Sequence, residues 1–419
     1  MRPVEDPQVP DFVSSLQRFS TFSEVEEIKK STDFAVAGAE ERTIFLEDTV
    51  IMTEGHRHTE LKQMFAPLLS REAIAYYELH LIEPVIQSVL AEKMGTPGPD
   101  GLVHLDIVPM IHAALTRIAA AVVGVDGVDT PERTERFKAL VLTLSTATTG
   151  SFSRADPRDL IQAGRNALAT LVSDYLQVSL DRRISLAAEV RAGRLTPADL
   201  PRDVLMTMCL AGDLSRPDDA IKIPYVWRMC ALFLTGSIKT TSHSLPHLFV
   251  HIDEWLREHP EDAANLTNVD WLHRAAAESF RLHQVSPVRF RQAVRDVTLS
   301  NGRSVAAGEM VALMIGPANL QAEVWGEDTR LFNMNRTIPK GLRPWGLTFG
   351  AGPHTCMGQN LVTGMMNKGD DKHGTHGTAV RVAKALYSRG ARLDPQNPPR
   401  RPAASLHDTW ESVPMVLRP

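Results

Sequence analysis

Residues 349–358 read Phe349-Gly350-Ala351-Gly352-Pro353-His354-Thr355-Cys356-Met357-Gly358. Two glycines precede the cysteine and a third follows it. Glycine lets backbone approach a flat ligand closely and turn where other residues are strained. Backbone N–H groups of such a loop can point at the sulfur and moderate its charge. Apolar, helix-forming residues follow, so Cys356 is expected at a helix N-terminus, where the dipole favours thiolate. A free cysteine is usually a small buried hydrophobe. In these surroundings a thiolate is instead suited to be the single protein ligand of a haem iron.

The rest of the composition narrows the class. The chain has 419 residues, 43% hydrophobic and 23% charged, as expected of a folded globule rather than a disordered chain. Lys+Arg number 45 against 50 Asp+Glu, a net charge of −5, which argues against a nucleic-acid-binding surface over the whole chain. Three cysteines (Cys209, Cys230, Cys356), none in a CxxC pair, cannot build a disulfide framework and point to a reducing compartment. The start, MRPVEDPQVPDF, lacks the basic and apolar stretches of a signal peptide. No apolar run approaches the roughly 18 residues of a spanning helix. A cytoplasmic protein without membrane attachment is expected.

Working outward from the loop, residues 60–260 read mostly as helices, with apolar residues at helical spacing in Leu81–Leu90 and Leu168–Leu176. Breaks are expected at Gly95–Gly101, Gly124–Pro131, Ser153–Pro157 and Gly212–Asp219. Residues 223–250 are long, mostly apolar and without alternation, which predicts a buried helix distorted at Gly236 and Pro246. Amphipathic helices are expected near His251–Glu258 and Asp270–Leu282. Short apolar runs, Val294–Leu299 and Val311–Ile315, flank the turns Asn301-Gly302 and Ala307-Gly308 and predict a small β-region. The polar, Gly-rich stretch 364–378 predicts an exposed loop, and its His373 and His376 are weak evidence for a metal. A helix near Ala379–Ser388 and one late strand should close the chain. The expectation is a single domain over 1–419, mainly α with a minor β region and not built of βαβ units. Its helical bulk spans about 60–285, its β-rich and cysteine-loop region about 286–362, the insertion 364–378, and the C-terminal helix and tail 379–419.

The loop resembles the cytochrome P450 signature Phe-Gly-x-Gly-x-His-x-Cys-x-Gly at every position. Upstream, Glu278-Ser279-Phe280-Arg281 resembles the family's Glu-x-x-Arg, and Phe332-Asn333-Met334-Asn335-Arg336 its Phe-x-x-x-Arg. Ser286-Pro287-Val288 with Arg291 is similar to the strand that carries an arginine to a haem propionate. The resemblance covers about residues 50–365. It implies the haem-thiolate fold, haem b as cofactor and Cys356 as the iron ligand, with Phe349, Gly350 and Gly236 lining the haem. It also implies a buried network of Glu278, Arg281 and Arg336 that holds the loop. His58 and Lys62, at i and i+4, would join His354 and Arg291 as donors to two carboxylates. Without the resemblance, His58 and Lys62 read as a solvated helix face, and Glu278/Arg281 as an ordinary surface pair.

Two departures stand out. Where the family has Ala/Gly-Gly-x-Asp/Glu-Thr, this chain has Gly236-Ser237-Ile238-Lys239-Thr240-Thr241. Thr240 aligns with the threonine that orders water near bound oxygen, and Lys239 replaces the acid that relays protons. Gly236, Lys239, Thr240 and His243 share one helical face. Lys239 either points to solvent or pairs with a carboxylate, or is a relay whose pKa burial has lowered. The chain before His58 is also short for the family, which predicts a trimmed N-terminal sheet.

The resemblance implies a monooxygenase that oxidises a small organic, secondary-metabolite-type substrate with O2. A ferredoxin or flavoprotein would supply electrons, since no GxGxxG marks a reductase part. Lys239 keeps open the same fold used for nitrene-type transfer, rearrangement or peroxygenase chemistry. A haem sensor without turnover is a third reading. Phe233, Leu234, Ile238 and Val285 are candidates for the substrate wall and read equally well as core. A monomer is expected.

Overall fold

The computed structural model describes residues 3–6, 8–38, 40–153, 155–212, 214, 223–365, 375–402 and 407–419. The protein is 57% helical with a small sheet region, so the mainly-α expectation holds. Its contacts cluster into two compact units. The first contains residues 1–37, 86–111 and 242–419, and the second 38–85 and 112–241.

Every named strand lies in the first unit. Strands β1 (Gln17–Phe19), β2 (Phe34–Val36), β4 (Val288–Ala293) and β7 (Met310–Met314) form a sheet in the order β1-β7-β4-β2, parallel only at β1–β7. β3 (Val103–Asp106), β8 (Arg392–Leu393) and β9 (Pro414–Leu417) form a second sheet, and β5 (Val297–Thr298) pairs with β6 (Ser304–Val305) across the Asn301-Gly302 turn. Gly302 has φ +86°, the conformation that selects glycine in such a turn. Phe19, Phe34, Val311 and Leu313 from the first sheet bury against Phe22, Val25 and Ile28 of the helix Phe22–Lys30. That helix is started by Thr21, which accepts from the N–H of Glu24 while Glu24 reaches back to Thr21.

Several expectations are corrected here. The N-terminal sheet is not trimmed, because β1 and β2 occupy both of its edges. The run Val294–Leu299 yields only Val297–Thr298 as strand; Val294 is 60% exposed, having left the sheet. The helix of 223–250 runs unbroken from Tyr225 to Glu258, and the stretch His251–Glu258 is its last turns rather than a separate helix. Pro246 removes one hydrogen-bond donor, but Leu245, Leu248 and Phe249 around it are fully buried and hold the turn.

The helix after Cys356 is only Gln359–Thr363, ended by Gly364 at φ +72°. An antiparallel bridge Met365–Thr375 then pinches the insertion at its base, with Thr375 buried. The ends of 364–378 are therefore not an exposed loop, because the Thr378 hydroxyl donates to Leu361 O (2.9 Å) and packs the next helix, Gly377–Tyr387, against the short one. Lys368, Lys372, His373 and part of the break at Gly212–Asp219 lie outside the described residues.

The second unit is helical. Helices Pro131–Thr148 and Pro157–Leu171 pack so closely that a Cβ on Gly164 would meet Ala147 at 2.4 Å and Phe45 at 2.8 Å. The long helix contributes residues 225–241 to this unit and 242–258 to the first.

Candidate functional site

The cysteine loop belongs to the first unit. The N–H of Cys356 donates to Phe349 O (2.8 Å), and the N–H of Gly350 to Leu347 O (2.8 Å), which closes the loop on itself. The Phe349 ring is held edge-on by Phe280 (5.8 Å between centroids) and Trp345 (5.6 Å). Gly350 and Gly352 have φ +82° and +67°, so neither position accepts a side chain without strain. Gly352 has a second reason, since a Cβ there would lie 2.5 Å from the carbonyl oxygen of Lys29. That glycine serves the packing of helix Phe22–Lys30 against the loop, a role that the sequence pattern hides. At Gly358 a Cβ would meet nothing within 4 Å, which leaves open space beside the cysteine. His354 ends the short turn Gly352–His354 and is half-buried.

Cys356 is the exposed cysteine, while Cys209 and Cys230 are buried. Burial pushes the Cys209 thiol up to about 11 and the Cys230 thiol farther still. Neither is a thiolate near neutral pH, so the soft-ligand chemistry falls to Cys356.

The first unit also holds a buried charge network. Arg281, fully buried at the end of helix Val269–Leu282, grips Glu278 with two 2.8 Å bonds, Nε to Oε2 and Nη2 to Oε1. Its remaining donors go to Asn319 O and Thr329 O, each at 2.8 Å. Arg336 Nε donates to Glu278 Oε1 (2.8 Å), and its other nitrogens reach Asp328 and the carbonyls of Trp325 and Leu331. Helix Val269–Leu282 and the segment 333–336 are thus tied through one carboxylate. The surface-pair reading is excluded by burial. Arg291, also buried, sits on β4 with Nη1 donating to Phe290 O (2.9 Å), two residues from Arg289 on the same strand.

The second unit holds the other named residues. On helix Gly55–Phe65, His58 is 5% exposed, so it does not belong to a solvated face. Its Nδ1–H donates to Val50 O (2.8 Å), which fixes the orientation of the ring. Lys62 is half-buried one turn on. On the long helix, Thr240 donates its hydroxyl to Gly236 O (2.6 Å), and a Cβ on Gly236 would meet nothing within 4 Å. Lys239 Nζ donates to the Thr149 hydroxyl (3.2 Å), and that hydroxyl donates to Ser145 O (2.8 Å). Burial pushes the Lys239 ammonium down to about 8. Of the wall candidates, Leu234 and Ile238 are fully buried core, and Phe233 packs edge-on against Phe65.

The cytochrome P450 family profile matches residues 24–368. The chain belongs to the cytochrome P450 family. Members of that family bind haem b through a cysteine thiolate. This cytochrome P450 is 32% identical over 107 residues to "Alkane hydroxylase MAH1" of Arabidopsis thaliana, a match covering 24% of this chain and 22% of that protein. It is 24% identical over 345 residues to "Cytochrome P450(MEG)" of Priestia megaterium, covering 82% and 74% respectively. The match to "Cytochrome P450 704C1" of Pinus taeda covers 37% of that protein, so the first relatives are matched over well under half their length. Its fold superposes with TM-score 0.64 on the structure titled "Crystal Structure of a Post-tailoring Hydroxylase (HmtN) Involved in the Himastatin Biosynthesis", at 16% identity, covering 100% of this chain and 95% of that one. Among the described residues no helix is long and apolar enough to cross a membrane.

The residues of the first unit fit haem b. An exposed cysteine offers the thiolate, the absent side chain of Gly358 leaves room beside it, and the buried cation Arg291 suits a carboxylate.

Sequence reading missed a second polar cluster in the first unit. His247, His283 and Asp408 place ligand atoms within 4.8 Å of one another. Their hydrogen bonds argue against a metal. The Trp410 indole, a donor only, gives its N–H to His247 Nδ1 (3.1 Å), so His247 carries its proton on Nε2 and offers a metal no lone pair there. The His247 and His283 rings are stacked at 3.7 Å, so their in-plane lone pairs run side by side rather than converging. The arrangement is instead a hydrogen-bond chain. His251 Nδ1 pairs with Ser279 Oγ (3.2 Å), His251 Nε2 pairs with His283 Nε2 (3.1 Å), and His283 Nδ1–H donates to Asp408. The signal in the sequence was the spacing of four between His247 and His251.

This cluster sets a pH dependence. Burial, then the neighbouring His283, pushes His247 and His251 well below the usual histidine value of 6.5. Burial opposes ionisation of Asp408, yet His283 and His247 hold it well below the usual 3.8. All three groups bind protons more readily unfolded than folded, so each stabilises the fold above its unfolded pKa and loses that contribution as pH falls. The two histidines act first, below 6.5, before ordinary carboxylates titrate. The urea midpoint should be level from pH 8 to 7 and fall between 6.5 and 5. A midpoint unchanged down to pH 5 would contradict the arrangement.

Proposed function

We propose that this cytochrome P450 is a haem-thiolate monooxygenase that oxidises a small organic, secondary-metabolite-type substrate with O2. Electrons would come from a ferredoxin or flavoprotein, and residues 1–419 would work as one domain in the cytoplasm. The observation that carries the reading is the exposed Cys356 on a closed glycine loop, in a family whose members hold haem b by a cysteine thiolate. The names of its relatives, an alkane hydroxylase and a post-tailoring hydroxylase, support oxygen insertion as the reaction type.

When bound, haem b supplies the oxygen-activating redox chemistry. Cys356 would hold it through its thiolate, with Phe349, Gly350 and Gly236 proposed to line it and Arg291, His354, His58 and Lys62 proposed as donors to its carboxylates. Glu278, Arg281 and Arg336 keep the loop in shape. Lys239 and Thr240 are the proposed proton-handling pair. With a pKa near 8, Lys239 is partly neutral at pH 7.5–8 and can give up or take a proton at Nζ. Its neighbour Thr149 accepts from Nζ and donates its own O–H to Ser145 O, which fixes the lysine in place.

Lys239 also favours a second reading, the same fold performing nitrene-type transfer, rearrangement or peroxygenase chemistry. A cation where an acid relays protons suits a substrate or oxidant that brings its own oxygen or leaving group. Stoichiometry separates the two. One O2 and one NAD(P)H consumed per product supports monooxygenation, and product formed under argon supports the second. Replacing Lys239 by Ala should lower O2-dependent turnover by roughly a hundredfold to ten-thousandfold, the range of one general acid–base group. Lys239→Asp should recover part of that loss. Equal rates in all three proteins would remove Lys239 from proton handling.

A further inference from the structure

Lys29 is an unusual residue to find behind a ligand loop. It lies in the last turn of helix Phe22–Lys30 and is 5% exposed. Its Nζ stands 3.6 Å from the point where a Cβ on Gly350 would be, so the ammonium reaches the loop that carries Cys356. The charged groups that act on it are Arg291 first and then Arg289, both on β4 and both cations. Burial and these two guanidiniums push the lysine well below its usual range. A buried ammonium facing like charges is costly unless an anion joins them. Leucine or methionine would fill the same volume on this helix without that cost.

We propose that Lys29 is a carboxylate-binding residue of the haem site, a cation supplied by the N-terminal helix that acts with Arg291 on a haem propionate. The proposal rests on the haem-thiolate reading above. Haem b brings two carboxylates, and one seated against Lys29 and Arg291 removes the like-charge repulsion within the pair. It also accounts for the close docking of helix Phe22–Lys30 on the loop through Gly352. Residues 22–30 would then belong to the cofactor site, although no motif marks them.

The test is release of haem from holoenzyme to an excess of apo-globin, for wild type, Lys29→Met and Lys29→Arg. Each protein is also reconstituted with haem dimethyl ester, which lacks both carboxylates. Lys29→Met should release haem about tenfold faster, about 1.4 kcal/mol, while Lys29→Arg stays near wild type. With the dimethyl ester, wild type and Lys29→Met should release at the same rate. The reduced carbon monoxide spectrum should show axial sulfur in all three. Equal haem release by wild type and Lys29→Met overturns the proposal, as does an effect that persists with the ester, which would mean that the lysine only supports packing. Loss of the axial-sulfur spectrum in wild type would instead overturn the parent reading.

Discussion

Replacing Cys356 by Ser should abolish the red-shifted Soret band of the reduced, carbon monoxide-bound protein and leave no measurable turnover. A serine hydroxyl keeps the shape of the loop, because Cys356 N–H donates to Phe349 O whatever the side chain. It cannot supply a soft anionic sulfur. The controls are Cys209→Ala and Cys230→Ala. Burial raises both of those thiols, so neither is a thiolate near neutral pH, and the band should survive in each. Persistence of the band in Cys356→Ser would transfer the ligand role elsewhere and undo the functional reading.

The second large effect is expected at Glu278. Its carboxylate takes two bonds from Arg281 and one from Arg336, and the side chains of the three residues are at most 5% exposed. Glu278→Ala leaves buried Arg281 without a carboxylate and Arg336 with Asp328 alone. Removing one partner of a buried ion pair costs about 3–5 kcal/mol because the other charge stays behind. The urea midpoint should fall accordingly, and the protein should purify with little pigment, since the same carboxylate ties the helix to the segment leading into the loop. Arg336→Ala should cost less, because Glu278 keeps both bonds from Arg281. A loss below about 1 kcal/mol in Glu278→Ala would show that the guanidiniums find other partners.

Much of this was legible in the residues alone. The glycines, the histidine and the cysteine of 349–358 dictate a backbone conformation that few other residues tolerate, so their order carries the loop and, with it, the fold class. The apolar run of 223–250 likewise announced a buried helix. Its true end, at Glu258, was not visible, because polar residues such as Asp253 and Glu254 belong equally to an amphipathic tail or a new helix. The N-terminal strands were missed for a similar reason. Three-residue strands such as Gln17–Phe19 and Phe34–Val36 have too little periodicity to detect and exist because β7 and β4 offer them edges.

Charge pairing required the folded chain. Lys239 looks from its neighbours like a residue bound for solvent or a carboxylate, but its partner is Thr149, 90 residues earlier. His247 and His251 meet Asp408 and Ser279 only in the folded chain. Lys29 is an ordinary helix-terminal lysine until the turn at Gly350 comes to rest beside it. Local sequence encodes backbone geometry and burial pattern, which are properties of neighbours along the chain. Which buried charge meets which depends on contacts between segments far apart in sequence, and those follow only from how the helices and strands pack.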